Sequence, residues 1–397
     1  SHIKKRLPYG MDDQWMVFSH YTERGWTVDN LWHIFTDFYG GQYAPLAFLS
    51  YLVLYAGFGY DPFYFHMFSL LLHIGCVCLV WKLISSLLRV HGGVSEKQIL
   101  YVNFITTLLF AVHPINVEAV AWISALKVLL YAFFYLLGLL CYLRYIRTSK
   151  IFYYVLTIGC FLCSFWGKEQ AVTFPLALLI VDWFTNRNMK NLEVWSEKMS
   201  FLIMAFFFGI ITVLSQGKGP YEMIFPLYQR LLFGCFALVE YITKSLLPVN
   251  LNFFYPFPIV LGEEPPLHYY LYPVVLLFLM GWIIAYRNNR YLVFGVLLFL
   301  VNLLFSIHLF NMSRHAIVAD RYMYLSYVGI AFLIANGIWW LRKRLSYFKA
   351  ALVFLFFYCF FLSVYTFHYT KKWENTTMVK KYTKEVLEKR LNGSNHL

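Results

Sequence analysis

Ten apolar runs divide this chain, at roughly 62–88, 98–112, 126–147, 151–167, 171–184, 199–216, 267–286, 290–309, 323–342 and 346–369. Many approach the roughly 20 residues a helix needs to cross a hydrocarbon core of about 30 Å. Within each run the apolar positions are continuous, not alternating. Continuous runs suit helices, which satisfy their backbone groups internally, whereas alternation would suit the strands of a closed barrel. The pattern predicts an all-α polytopic membrane protein with ten crossings. Two further apolar segments fit less well. "APLAFLSYLVLYAGFG" (44–59) is short, and 227–247 carries Arg230, Glu240 and Lys244. Both are expected to be helices lying at the outer membrane interface.

Charge sets the orientation. "RVHGGVSEKQ", "RYIRTSK", "NRNMKNLEVWSEK", "RNNR" and "RKRLSYFK" are the basic loops. All fall on one side if every run crosses once, and that side is cytoplasmic by the positive-inside bias. Were 227–247 to cross, the last two loops would change sides. The other side then holds Asp12, "HPINVEAVAWIS", "GKEQ", "GKGPYE", "SRHAIVADRY" and the tail, and with them nearly all the unusual polar residues. The expected organisation is a first outer loop, 1–61, with an acidic pair and an interfacial helix. Membrane helices over 62–216 follow, with outer motif loops at 113–125 and 167–170. A large outer loop at 217–266, C-terminal membrane helices at 267–369 and an outer tail at 370–397 complete it. The opening "SHIKKRLPYG" is no membrane segment, and an earlier helix is expected ahead of it, bringing the total to about eleven crossings.

Composition changes this picture little. The chain of 397 residues is 60% hydrophobic and only 13% charged, against about 25% charged in soluble proteins. The net charge of +13 is concentrated in the short loops, so it argues for a bilayer partner and against nucleic acid. The seven cysteines lie within apolar runs and read as packing residues. "CFLC" (160–163) has no second pair beside it, and no disulfide framework or metal-ligand set is expected. No internal repeat is visible, which makes an inverted-repeat transporter less attractive.

The outer side carries the candidate chemistry. Acids are scarce, 20 against 33 Lys plus Arg, yet Asp12 and Asp13 are adjacent. "FAVHPINVEAVAWISALKVLL" interrupts an apolar stretch with His113, Pro114, Asn116, Glu118 and Lys127, and polar residues at such depth usually mark a site. The bland alternative is a capping histidine and glutamate. "GKEQ" places Lys168 and Glu169 in a turn, where they could be a plain surface pair. In "ADRYMYLSYVG", Asp320 suits a helix start. Arg321 does not, and an anionic ligand would account for it. Tyr255 lies in the Pro-rich aromatic loop 246–258. The cations Lys127, Lys168, Arg314 and Arg321 suit a phosphate, and a carboxylate suits proton removal from an attacking hydroxyl.

Six stretches in this order resemble a known family: "MDDQW", "YAPLAFLSYLVLYAGFGYDPFYFHMFSLLLH", "LFAVHPINVEAVAWISALKVLL", "GKEQAVTFPLALLIVDW", "LLPVNLNFFYP" and "ADRYMYLSYVG". The pattern is similar to the membrane half of the transmembrane-and-tetratricopeptide-repeat O-mannosyltransferases and their bacterial relatives, in the GT-C superfamily of glycosyltransferases. The resemblance implies a GT-C fold with interfacial helices in the outer loops. It implies an inverting transfer of a sugar from a polyprenyl-phosphate donor to an acceptor hydroxyl on the non-cytoplasmic side, with no cofactor and no established metal. A protein Ser or Thr is the first expectation for the acceptor, and a lipid or cell-surface glycan the alternative. Asp12 would be the general base and Asp13 its positioning partner. By their placement on the outer side, not by the resemblance, Arg321 and Lys168, backed by Lys127 and Arg314, are expected to hold the phosphate. Glu118, His113, Glu169, Tyr255 and Tyr322 would support acceptor or sugar. A bacterial inner membrane with a periplasm-facing site is the expected location. The family continues into helical repeats, of which 370–397 would be the start. Without them, acceptor choice would fall to the outer loops or a membrane-protein partner. A non-catalytic scaffold or assembly subunit is the competing class.

Overall fold

The computed structural model describes residues 12–216, 225–309 and 316–394. Among these residues the chain is all-α, and its only β features are two isolated bridges, Tyr39 with Gln42 and Tyr255 with Val318. Four helices precede the first long span: α1 (Asp13–Met16), α2 (His20–Glu23), α3 (Val28–Thr36) and α4 (Pro45–Phe58). Then come α5 (Pro62–His91), α6 (Glu96–Val112), α7 (Val117–Ala121), α8 (Leu126–Thr148), α9 (Ile151–Gly167), α10 (Phe174–Phe184) and α11 (Leu192–Gln216). The second half holds α12 (Leu227–Leu246), α13 (Leu271–Ala285), α14 (Arg290–Leu303), α15 (Met323–Trp340), α16 (Leu345–Thr370) and α17 (Thr376–Ser394).

Local chemistry sets these limits. Asp61 caps α5 by accepting from the Phe63 amide at 3.0 Å, with Pro62 in the first turn where its missing N–H costs nothing. Ser95 caps α6 and Asn289 caps α14 in the same way. Pro114 cannot continue α6. The chain bends by 50° there before resuming through a 3-10 turn, Pro114–Asn116, into α7.

All ten apolar runs are helical, and the chain is a polytopic membrane protein. Among the described residues six helices are each long and apolar enough to cross a bilayer, and the bent pair at Pro114 would make a seventh. Three of the expected crossings are shorter: α9 has 17 residues, α14 has 14 and α10 has 11. The run at 171–184 loses its first turn to a 3-10 segment, Glu169–Thr173, and the run at 290–309 leaves the helix after Leu303. The segments at 44–59 and 227–247 are helices, α4 and α12.

One core joins α5, α6, α8, α10, α14 and α15. Small residues set its closest crossing. A Cβ at Gly329 of α15 would stand 2.5 Å from the Gly295 carbonyl oxygen and 2.7 Å from the Phe299 amide of α14, so glycine lets the two backbones meet. A smaller core, with Met16, Tyr51 and Phe65, fastens α1 and α4 to the start of α8.

The expectation that one side of the bundle holds nearly all the unusual polar residues does not hold. At the far ends of α8, α9 and α10 and the start of α11, Asp182 and Lys198 are both fully buried and 2.5 Å apart. Arg187 bonds Glu197 with two nitrogens, at 2.6 and 2.9 Å, and Tyr142 donates to Asp182. In the sequence Arg187, Glu197 and Lys198 look like part of an ordinary basic loop, and Asp182 and Tyr142 fall within apolar runs. Folding pairs them, two cations with two carboxylates.

Candidate active site

The opposite ends of α8 and α9 gather the sequence-predicted residues. The short helix α1 brings the acidic pair to the 3-10 turn Ile123–Ala125, which starts α8. Asp13 is buried. Its Oδ1 accepts from the Ser124 amide at 2.9 Å and from the Ser124 hydroxyl. Burial pushes its carboxyl up to about 6, against the opposing pull of Ser124, while the neighbouring Asp12 charge adds to the rise. The Trp122 indole also lowers it, although no bond of ordinary length joins them. Asp12 is half-buried, at the N-cap of α1, and its side chain makes no capping bond. The two acids therefore differ: Asp13 is held inside and Asp12 is the accessible one.

Lys127 stands one residue into α8. Its ammonium donates to Gln42 Oε1 at 2.5 Å and lies 3.8 Å from Met16 Sδ. It is within electrostatic reach of Asp12, Glu169 and Arg321. Gln42 comes from a tight turn at 39–42. Gly40 there has φ +58, and a Cβ would stand 2.6 Å from the Trp15 ring. Tyr51 of α4 fixes the same region by donating to the Ile123 carbonyl at 2.9 Å.

A second cation arrives from the start of α15. Arg321 lies in the 3-10 turn Asp320–Tyr322, and its guanidinium meets Glu118 of α7 at 2.5 Å, while its amide donates to the same carboxylate at 2.7 Å. Its guanidinium also lies 5.2 Å from the ring centres of Trp122 and Tyr322. Lys168, at the end of α9, lies 4.6 Å from the other partner of that aromatic wall, the Tyr322 ring. Glu169 follows it, half-buried. Lys127, Lys168 and Arg321 thus share one end of the bundle with Asp12, Glu118 and Glu169. An anionic ligand is not needed to explain Arg321, because Glu118 accounts for it. The pair leaves the Arg321 side chain as a whole 19% exposed, with Glu118 fully buried.

Other expected site residues sit behind this group. Tyr255 is buried, donates to Asp320 at 3.0 Å and accepts from Lys244 at 2.7 Å. That bond ties the 248–258 loop to the turn presenting Arg321. His113 is a capping residue: its Nδ1 accepts from the Ile115 amide at 3.2 Å at the break in α6. Arg314 lies outside the described residues. Ser124, Gln42, Trp122 and Lys244 were not expected. Ser124 and Trp122 are inside a motif already singled out, but nothing local pairs Ser124 with Asp13, 111 positions away. Gln42 and Lys244 had no signal beyond polarity. Among the described residues no group of three His, Cys, Asp or Glu side chains is placed to hold a metal ion.

Comparison with known proteins points one way. The chain is 32% identical over 189 residues to the protein O-mannosyl-transferase TMTC2 of Mus musculus, a match covering 43% of this chain and 21% of that protein. It is 31% identical over 167 residues to the protein O-mannosyl-transferase TMTC4 of Homo sapiens, covering 37% and 22%. It is 28% identical over 172 residues to the protein O-mannosyl-transferase Tmtc3 of Drosophila melanogaster, covering 38% and 18%. The matched stretch thus spans about a fifth of each relative's length. No protein-family model matches the chain, and no solved structure matches it.

Proposed function

Taking that partial similarity as the premise, we propose that this chain is an inverting glycosyltransferase. It moves a sugar from a polyprenyl-phosphate donor to a hydroxyl of a protein Ser or Thr on the non-cytoplasmic side. The relatives' names make mannose the first sugar to test. One observation carries the reading: an accessible carboxylate, Asp12, shares one end of the bundle with three cations, Lys127, Lys168 and Arg321.

The chemistry follows from those charges. The Asp12 carboxylate takes the acceptor proton as the hydroxyl oxygen attacks the anomeric carbon. The bond from that carbon to the phosphate oxygen breaks, and polyprenyl phosphate leaves with the electron pair. The cations offset the charge that grows on the phosphate. Attack opposite the leaving phosphate inverts the carbon. The proton on Asp12 then passes to water. Asp13 and Ser124 hold the turn that delivers Lys127, and Glu118 aims Arg321.

The test is transfer of labelled sugar from polyprenyl-phosphate donors to protein in reconstituted membranes. Replacing Asp12 with Asn is expected to lower kcat about 10²–10⁴-fold, the usual share of a general base, with donor binding retained. Undiminished transfer by Asp12→Asn sinks the assignment of the base. One observation favours a second reading, a scaffold without catalysis: Arg321 is already paired with Glu118. That reading expects no transfer by the unaltered chain with any donor.

A further inference from the structure

The tail helix α17 reaches the candidate site from the far end of the sequence. Over 379–386 it has one inward face at helical spacing. Val379 and Val386 are buried and Tyr382 and Thr383 half-buried, while Lys380 and Lys384 are exposed. The inward face meets the loop after α12. From 247 to 254 that loop has no helix or strand, so its backbone groups need partners from elsewhere. Asn252, fully buried, is where α17 meets it. Its side-chain oxygen accepts from the Thr383 hydroxyl and from the Phe253 amide, each at 2.8 Å. Its side-chain nitrogen donates to the Phe254 carbonyl at 3.2 Å.

The Asn252 amide has other partners. It donates to the Tyr255 hydroxyl at 2.6 Å and to Asp320 Oδ2 at 3.2 Å. Asp320 precedes Arg321 in the 3-10 turn before α15. One buried residue thus joins α17, by its side chain, to the turn that carries Arg321, by its amide. A second contact runs alongside. Trp373, in the turn between α16 and α17, stands 6.3 Å from the Trp122 ring and 6.2 Å from the Phe253 ring. The Arg321 guanidinium in turn lies 5.2 Å from the Trp122 ring centre. Both contacts lead from the tail to the same cation.

We infer that Thr383 is a positioning residue: through Asn252 and Asp320 it sets where the Arg321 guanidinium stands. Glu118 pairs the guanidinium, and Thr383 holds the turn that presents it. Thr383 itself touches neither donor nor acceptor. The functional consequence rests on the reading of Arg321 as a phosphate ligand, whereas the positioning does not. Thr383→Val takes one of two donors from the buried Asn252 oxygen at nearly constant shape, a loss that costs more than the bond's net worth because the acceptor stays buried. Thr383→Ser keeps the donor.

The test takes two readouts on the full chain in detergent. The first is amide hydrogen exchange, which reports local opening and needs no activity. Expected is faster exchange at 249–256 and 319–323 in Thr383→Val, unchanged exchange there in Thr383→Ser, and no change at 182–198 in either. The second is binding of farnesyl phosphate, a short polyprenyl phosphate. Thr383→Val is expected to bind it roughly 3- to 30-fold more weakly, the range for residues coupled to a site without touching its ligand. Thr383→Ser is expected to restore binding. Unchanged exchange at 319–323 in Thr383→Val overturns the inference, and so does faster exchange spread over the whole chain. Exchange that responds while binding stays level overturns it too, because the turn would then move without carrying the phosphate site. If exchange responds but the unaltered chain binds no farnesyl phosphate, the positioning stands and the phosphate reading of the site falls.

Discussion

Asp13 and Arg321 show how a side chain's partners decide its role. Asp13 is buried and its carboxyl is pushed up to about 6, above its ordinary range near 4. A raised acid pKa stabilises the fold below the unfolded value. That stability is lost as pH rises through the folded value. Thermal unfolding in detergent is therefore expected to show falling stability from about pH 4 to 6, by up to about 3 kcal/mol. Asp13→Asn should flatten that decline, and an unchanged pH profile would show that another group causes it. Arg321 makes the complementary point. Removing Glu118 leaves a mostly buried guanidinium without its carboxylate, a change that costs about 3–5 kcal/mol in comparable pairs. Glu118→Ala should therefore lower the denaturation midpoint far more than Glu169→Ala, whose carboxylate is half-buried in a turn. Equal midpoints would mean that Glu118 is not the partner on which Arg321 depends.

At the scale of elements, helix ends do most of the positioning. Lys127 begins α8, Lys168 ends α9 and Arg321 opens the turn before α15. The break at His113–Pro114 supplies α7 and its Glu118. Each candidate side chain thus sits where a helix starts, stops or breaks, because only there can an apolar helix expose a charge without burying it in lipid. These placements hold only if the helices keep their spacing. Gly329→Ala would drive a methyl into the backbone of α14 and should cost about 1–3 kcal/mol, as overpacking does. Gly337→Ala, in the same helix but with no heavy atom within 4 Å of the added methyl, should be neutral or stabilising by up to about 1 kcal/mol. Chemical denaturation of the two variants in the same detergent checks the difference, and similar losses would mean that the α14–α15 crossing is not close.

For the whole molecule, charge is divided between two ends of one bundle. One end gathers the candidate site, and the other closes on Asp182, Arg187, Glu197 and Lys198. Along α8 the 15 residues from Lys127 to Tyr142 separate the two by about 22 Å. Lys198→Met should destabilise the fold by about 3–5 kcal/mol, since it leaves Asp182 less compensated. Transfer per folded molecule should be unchanged, measured as labelled product against the folded fraction by size-exclusion. A large fall in that ratio would tie the two ends together. The sequence by itself determined the class of this protein: continuous apolar runs can satisfy their backbone in lipid only as helices, so the helical runs were legible residue by residue. It also singled out Asp12, Lys127, Lys168 and Arg321, because a charge beside an apolar run is costly without a reason. Which charges meet was not legible. Glu118 and Arg321 are 203 positions apart, Asp13 and Ser124 are 111 apart, and local pattern carries no information about such pairs. Only packing decided that Glu118 would hold Arg321, that Asp13 would be buried while Asp12 stayed accessible, and that the basic loop after α10 would pair its charges and close the other end. Burial and pairing depend on which helices meet, and that is a property of the assembled bundle.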